Sequence, residues 1–255
     1  MSIFDDLQEA LALDELFVEY LPTMTLADRG CVGGEALVRW KRGDVVLPAA
    51  AFIPLIENTP LSGRITYWVI DTVAAEMGEW LGFHGDAHIS LNVPPEVLGR
   101  GGLAYAATRS GLAERSNQIV LEITERGIPD LLGLQALDLM AKNGTRLALD
   151  DTTLTGANLA LIARCHFSMI KIDASVTGQI ESGKPLPDWL SGLESLLRSA
   201  SPLQVVAEGV VTEHQVQTLR AAGVQMAQGY LFSRPLSAER FQEFYARNRG
   251  RLHVH

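Results

Sequence analysis

Eight short, mostly apolar segments, separated by stretches of helical patterning, constrain the fold of this sequence more than any other feature. The apolar segments are residues 16–20, 32–40, 88–93, 119–124, 146–151, 169–173, 204–210 and 226–232. Several lack the alternation of polar and apolar residues that a half-exposed strand shows, which is typical of parallel strands buried on both faces. Helical patterning occupies residues 65–81, 131–143, 189–200 and 213–222.

This order of elements predicts an α/β fold, a closed (β/α)8 TIM-type barrel. An open, doubly wound parallel sheet is the alternative, but no GxGxxG fingerprint begins any of the helical stretches. The 255 residues match one barrel, because this fold takes roughly 250 residues. We expect a single domain over residues 1–255, with a core from about 14 to 245 and a flexible basic tail at 246–255.

Charge and cysteine content restrict the partners and the compartment. With 21 basic and 30 acidic residues the net charge is −9, which argues against a surface that binds DNA or RNA polymers. The longest uncharged stretch, residues 221–233, is shorter than the ~20 residues of a spanning helix, so we expect no membrane insertion. Two cysteines, Cys31 and Cys165, cannot form a disulfide framework. We therefore expect a cytoplasmic chain, or the cytoplasmic portion of a larger protein.

Polar side chains occur in seven of the eight strand segments, where a buried strand should avoid them. They are Glu35, Asn92, Glu122, Asp150 with Asp151, Lys171, Glu208 and Gln228. In a barrel of this class, side chains near the carboxyl ends of the strands converge at one mouth, where barrel enzymes carry their chemistry. Each acidic residue alone is more often a helix cap or a surface charge. Seven strands that carry such groups in register are hard to attribute to chance.

Five carboxylates in one small space repel each other, and a single lysine cannot neutralise them. Oxygen ligands with two amides, and without histidine or cysteine, favour the hard cations Mg²⁺ or Mn²⁺ over Zn²⁺. The adjacent pair Asp150–Asp151 is suited to two ions, because one carboxylate can bridge them while its neighbour binds the second. Two-metal sites are a common means of hydrolysing phosphodiesters.

The sequence resembles the EAL-domain phosphodiesterases, which hydrolyse the bacterial second messenger cyclic di-GMP. The resemblance runs from about Asp14 to Tyr245 and rests on the motifs EALVRW, LNVPP, LEITE, the DD pair, IKIDAS, VAEGV and QGYLFSRP. It implies a barrel with an antiparallel first strand, two Mg²⁺ or Mn²⁺ ions, and cleavage of cyclic di-GMP to linear pGpG. It also implies a homodimer.

The same resemblance implies a role for each site residue. The implied metal ligands are Glu35, Asn92, Glu122, Asp150, Asp151, Glu208 and Gln228. Lys171 would position the attacking water, and Glu208 would also act as the general base. Arg39 and Pro94 would contact the ligand, as would the residue at Leu21, where the family has a glutamine. Glu125 would anchor the loop after the fifth barrel strand.

That loop departs from the family pattern. It reads DDTTLTG where the family has DDFGTG, so Thr152, Thr153, Leu154 and Thr155 replace Phe, Gly, Thr and Gly. Threonine is stiff and disfavours positive φ, so we expect another loop conformation or strain at the two former glycines. Val211 also replaces the second glutamate of the family motif EGVE.

Two alternatives to an enzyme remain open at this point. The first is a non-catalytic effector, which binds cyclic di-GMP and signals to a protein partner. The second is an interaction module that binds no nucleotide. Family members without activity usually lose ligands at the metal site, whereas this sequence retains the full set from Glu35 to Gln228. The intact set favours the enzyme.

Overall fold

The computed structural model describes residues 3–124, 129–153, 167–199 and 203–249. The strands are β1 (Leu16–Thr25), β2 (Cys31–Arg42), β3 (Val45–Pro48), β4 (His88–Asn92), β5 (Ile119–Thr124), β6 (Arg146–Thr152), β7 (Met169–Ile172), β8 (Gln204–Ala207) and β9 (Met226–Ala227). The helices of the described residues are α1 (Ile3–Ala10), α2 (Pro60–Phe83), α3 (Gly102–Ser110), α4 (Leu131–Lys142), α5 (Ala174–Thr177), α6 (Trp189–Ser199), α7 (Glu213–Ala221) and α8 (Ala238–Arg247).

Eight of these strands close into a barrel. The parallel strands follow one another around it in the order β2, β4, β5, β6, β7, β8 and β9. Strand β1 completes the circle between β9 and β2 and is antiparallel to both. Strand β3 extends β2 as a hairpin outside the circle. The expected TIM-type barrel with an antiparallel first strand is therefore confirmed.

Apolar residues fill the barrel below its mouth. One interior cluster contains Val32, Val120, Ala148, Met169, Val206 and Met226, each from a different strand. Successive residues of a strand face opposite sides, so residues two positions apart share a face. Val120 and Glu122, or Met169 and Lys171, therefore lie one above the other inside the barrel. The apolar cluster therefore lies directly below the polar residues of the mouth.

The elements differ from the sequence prediction mainly in number and in length. Strand β9 ends at Ala227 rather than at residue 232, because the chain turns at Gly229, where a side chain would collide with the Val210 backbone. Strand β3 and helices α1, α3 and α8 were not predicted. Within the described residues, no helix combines the length and the apolar character needed to cross a bilayer.

The first residues of the expected flexible tail, 246–249, lie in a helix and against the barrel. Helix α8 continues to Arg247, and the next residues pair with the barrel. The Asn248 carbonyl accepts a hydrogen bond from the Cys31 amide, and the Arg249 guanidinium lies 3.0 Å from Asp86 Oδ1. Residues 250–255 of the predicted tail lie outside the described residues.

Candidate active site

The predicted polar residues converge at the mouth formed by the carboxyl ends of the parallel strands. Glu35 lies within β2, Asn92 ends β4, Glu122 lies within β5 and Lys171 within β7. Asp150 and Asp151 lie near the end of β6. Glu208 and Gln228 directly follow β8 and β9. The parallel register brings these side chains to one end, because each lies near the point where its strand reaches the mouth of the barrel.

Lys171 lies at the centre of the carboxylates. Its side chain is 1% exposed, and its Nζ lies 2.7 Å from Glu208 Oε1 and 2.8 Å from Glu122 Oε2. The same atom lies 3.0 Å from Glu35 Oε2 and 3.1 Å from Asp150 Oδ1. One cation thus faces four carboxylates from four strands. Their combined negative charge exceeds what the lysine can neutralise.

This crowding shifts the pKa values of the group. Burial alone would lower the pKa of Lys171, but the carboxylates, Asp150 foremost, hold it well above its ordinary value. Burial and the neighbouring Glu35 raise the pKa of Glu122. Burial, opposed by Lys171 and reinforced by Asp150, raises the pKa of Glu208 to about 8. Burial would also raise the pKa of Glu35, but Lys171 and the amide of Asn92 outweigh burial and lower that pKa.

A β-bulge aims two consecutive carboxylates at the same site. The register between β6 and β7 shifts between Leu149 and Thr152, and Asp151 has a left-handed backbone with a φ of 54°. In a regular strand Asp150 and Asp151 would face opposite sides of the sheet. Here one oxygen each of Asp150, Asp151 and Glu208 lies within 4.8 Å of the other two. Aspartate tolerates the left-handed region better than most residues.

One buried oxygen atom at the mouth, Gln228 Oε1, accepts no hydrogen bond from the described residues. Asp150 Oδ1 has the Lys171 ammonium as its neighbour, at 3.1 Å. A buried polar atom without a partner is costly, so such atoms mark positions where a bound group completes the structure. Hard oxygen donors around unneutralised negative charge fit Mg²⁺ or Mn²⁺. The residues present therefore suit divalent cations.

Neighbouring side chains orient the two amides. Asn92 Nδ2 donates to Glu35 Oε1 at 2.9 Å, and Gln228 Nε2 donates to Thr23 Oγ1 at 3.0 Å. Because both nitrogens are engaged, both amide oxygens are available to a cation. Thr23, on β1 and 2% exposed, was missed by sequence reasoning. The antiparallel direction of β1 brings it beside Gln228, and no local motif reveals this contact.

A cavity of about 820 Å³ opens beside the carboxylates, which is within the range of small-molecule sites. Arg39 and Pro94, the residues expected to contact a ligand, are among the residues that line it. The Arg39 Nε donates to Glu19 Oε2 at 2.8 Å, which fixes the direction of its guanidinium. Leu21 lies opposite Glu35 in the β1–β2 register but is not among the described residues that line the cavity.

The loop after β6 is described only in part. Thr152 is fully buried within β6, and Thr153 follows it without a positive φ. Of the two expected alternatives, Thr153 therefore shows another conformation rather than strain, and the left-handed residue of this segment is Asp151. Leu154, Thr155 and the predicted loop anchor Glu125 lie outside the described residues.

The chain is similar to proteins of one known family. The model of the EAL domain family matches residues 5–235. A probable cyclic di-GMP phosphodiesterase, PdeB of Escherichia coli (strain K12), is 32% identical over 239 residues, or 92% of this chain and 45% of PdeB. MucR of Pseudomonas aeruginosa, a bifunctional diguanylate cyclase and cyclic di-GMP phosphodiesterase, is 30% identical over 94% of this chain and 36% of MucR. The chain thus spans less than half the length of both relatives.

Solved structures share the fold. The PaMucR phosphodiesterase in complex with c-di-GMP superimposes with a TM-score of 0.84 at 29% identity, over 94% of this chain and all of that chain. The EAL enzyme Bd1971, bound to cAMP and cyclic di-GMP, gives a TM-score of 0.83 at 23% identity, over 95% of this chain and 68% of Bd1971. The second likeness supports the fold alone.

Proposed function

Because the chain belongs to the EAL domain family, we propose that it is a phosphodiesterase that hydrolyses cyclic di-GMP to linear pGpG. The observation that carries the proposal is the cluster of five carboxylates at the mouth of the barrel, four of which surround Lys171. It lies beside a cavity large enough for a nucleotide. The names of the relatives support the same substrate.

The cofactor of this proposal is a pair of Mg²⁺ or Mn²⁺ ions. The residues that would hold one ion are Glu35, Asn92, Glu122 and Asp150, and those that would hold the second are Asp150, Asp151, Glu208 and Gln228. When bound, such ions lower the pKa of water and neutralise charge on the attacked phosphate. The unpartnered Gln228 oxygen supports this assignment.

Residues of the chain perform the remaining steps. Lys171, with three donors and a raised pKa, stays protonated and orients the attacking water. Glu208, whose Oε1 lies 2.7 Å from Lys171 Nζ, accepts the proton of that water and is the general base. The water oxygen forms a bond to phosphorus while the bond from phosphorus to the 3′ oxygen breaks. The departing 3′ oxygen takes up a proton from solvent water and becomes the 3′ hydroxyl of pGpG. Arg39 binds a phosphate, and Pro94 packs against the ligand beside Asn92.

The test is incubation of the purified chain with cyclic di-GMP and Mg²⁺ or Mn²⁺, with chromatographic detection of pGpG. The matched variants are Asp150→Asn at the mouth and Asp138→Asn on the exposed side of α4. We expect the wild type and Asp138→Asn to produce pGpG and Asp150→Asn to be inactive. Binding without product in the wild type would support the non-catalytic effector instead.

The proposal includes a homodimer in the cytoplasm and a small-molecule ligand rather than a DNA or RNA polymer. Helix α4 exposes Leu131, Leu132 and Leu139 by 70%, 50% and 60%. Exposed apolar side chains concentrated on one helix are typical of a surface that another molecule covers. Light scattering of the wild type and of a Leu132→Ser, Leu139→Ser variant tests whether a second copy is that molecule.

A further inference from the structure

Glu96 is a carboxylate of the cavity that belongs to none of the motifs of the site. It follows Pro95 in the turn after β4 and is half-buried in the cavity wall. The backbone N–H of Asn58 donates to Glu96 Oε1 at 2.8 Å, and Ser62 Oγ donates to the same oxygen at 2.9 Å. Ser62 is 2% exposed and lies at the start of α2. Two donors from another part of the chain therefore fix the carboxylate in one orientation.

The second oxygen of Glu96 is left for a ligand. None of the described residues donates a hydrogen bond to Oε2, although a carboxylate oxygen offers two lone-pair sites. Glu96, Asn58 and Ser62 all line the cavity. Pro95, which precedes Glu96 in the chain, and Pro54 line the same cavity and supply apolar surface. A fixed acceptor in a partly apolar cavity suits a planar base that carries hydrogen-bond donors on its edge.

We infer that Glu96 determines base specificity by accepting hydrogen bonds from a guanine of the ligand. This inference rests on the proposed function, because the cyclic dinucleotide supplies the base. Guanine presents two adjacent donors on its Watson–Crick edge, the N1–H and the 2-amino group. Oε2 of Glu96 has two lone-pair sites to accept them. Adenine carries an acceptor at N1, so its lone pair would face the carboxylate and be repelled.

The variant Glu96→Gln isolates this contact, because Asn58 and Ser62 determine how the amide is oriented. Both groups donate to Oε1 in the wild type, so the carbonyl oxygen of glutamine takes that position. The NH2 group of the glutamine then takes the place of Oε2. Because it is itself a donor, it cannot accept the hydrogen bonds of guanine. The anchoring hydrogen bonds persist, so we expect the variant to fold with a melting temperature close to that of the wild type.

The experiment measures Kd by calorimetric titration in Ca²⁺ for three ligands. They are cyclic di-GMP, its inosine analogue without the 2-amino groups, and cyclic di-AMP. A hydrogen bond to a charged acceptor contributes about 1.5–3 kcal/mol, or about tenfold or more in Kd. For the wild type we expect at least about tenfold weaker binding of the inosine analogue. For Glu96→Gln we expect that ratio to approach one and binding of cyclic di-GMP to weaken by about tenfold or more.

Glu57→Gln is the matched control. Glu57 is an exposed carboxylate of the same cavity, so its loss changes the local charge without touching the Asn58–Glu96–Ser62 contacts. We expect it to change the affinities for cyclic di-GMP and the inosine analogue by the same factor. If the wild type binds cyclic di-GMP but Glu96→Gln retains the wild-type ratio of Kd values for the inosine analogue and cyclic di-GMP, the role that we infer for Glu96 is wrong. The proposed function then stands. If the wild type binds none of the three ligands, both are wrong.

Discussion

Lys171 Nζ and Glu208 Oε1 lie 2.7 Å apart across the neighbouring strands β7 and β8. The lysine is buried, and it faces three further carboxylates at distances of up to 3.1 Å. Removing one partner of a buried ionic cluster leaves uncompensated charge, which is far more costly than the loss of an exposed ion pair. Lys171 therefore has a structural role, in addition to the chemical role that we propose for it.

Replacing Lys171 with methionine should reveal both roles. We expect the free energy of unfolding in EDTA to fall by about 3–5 kcal/mol, because four carboxylates lose their shared cation. Mn²⁺ should restore part of that loss by supplying positive charge. The rate of pGpG formation should fall by about 10²-fold or more, which is the scale of losing one positioned catalytic group. Urea unfolding with and without Mn²⁺, together with a rate assay, measures these effects.

The control for this substitution is Lys184→Met. Lys184 forms an exposed ion pair with Glu181, so its replacement should change the stability by less than about 1 kcal/mol. An equal loss in the two variants would contradict the special position of Lys171.

Metal exchange should separate ligand binding from turnover. We expect EDTA to abolish hydrolysis and Mg²⁺ or Mn²⁺ to restore it, whereas Ca²⁺ should support binding without turnover. Ca²⁺ takes longer bonds and more ligands, so the reacting groups would be misplaced relative to one another. Titration and product analysis with each ion provide the measurement. Full turnover in EDTA would rule out the proposed cofactor.

Asp151 allows conformation and charge to be tested separately. Its φ of 54° favours Asn over Ala, because a left-handed residue with an ordinary side chain costs about 1–2 kcal/mol. We expect Asp151→Ala to be less stable than Asp151→Asn by about 1 kcal/mol in EDTA, while both variants lose activity. At Asp138, on helix α4, the order should reverse because Ala is the better helix former. Equal stability of the two Asp151 variants would argue against backbone strain at this residue.

His88 should make the protein less stable in acid. The side chain is 1% exposed, its Nδ1 makes no hydrogen bond to the described residues, and burial together with Arg146 lowers its pKa to about 3. Between pH 3 and 6.5 the unfolded chain takes up a proton at His88 and the folded chain does not. Stability therefore rises with pH through this window and is fully recovered above 6.5. At pH 5 the loss is about 2 kcal/mol.

The pH dependence of urea unfolding between pH 5 and 8 measures this effect. His88→Gln should reduce the loss of stability toward pH 5, whatever its effect on absolute stability. His214→Gln, which changes a half-buried histidine on α7, should retain the wild-type dependence. An unchanged dependence in His88→Gln would show that other groups cause the loss in acid.

The sequence predicted the barrel and the members of the carboxylate cluster because both depend on position along strands. Glu122 and Lys171 are inward-facing residues near strand ends, and parallel register alone brings such residues together. The left-handed backbone of Asp151 could not be predicted, because the bulge depends on the pairing of β6 with β7. The position of Glu96 was missed for a similar reason. Its two donors come from the start of α2 and the turn before it, more than 30 residues away in the chain.

The reversed direction of β1 separates the two ends of the domain. Because β1 runs against its neighbours, α1 lies on the same face as the carboxylates, where Asp6 pairs with Arg42 at the far end of β2. Residues 248 and 249 instead meet Cys31 and Asp86, at the opposite end of the barrel. The described chain therefore begins beside the carboxylate cluster and leaves α8 at the far end of the barrel from it.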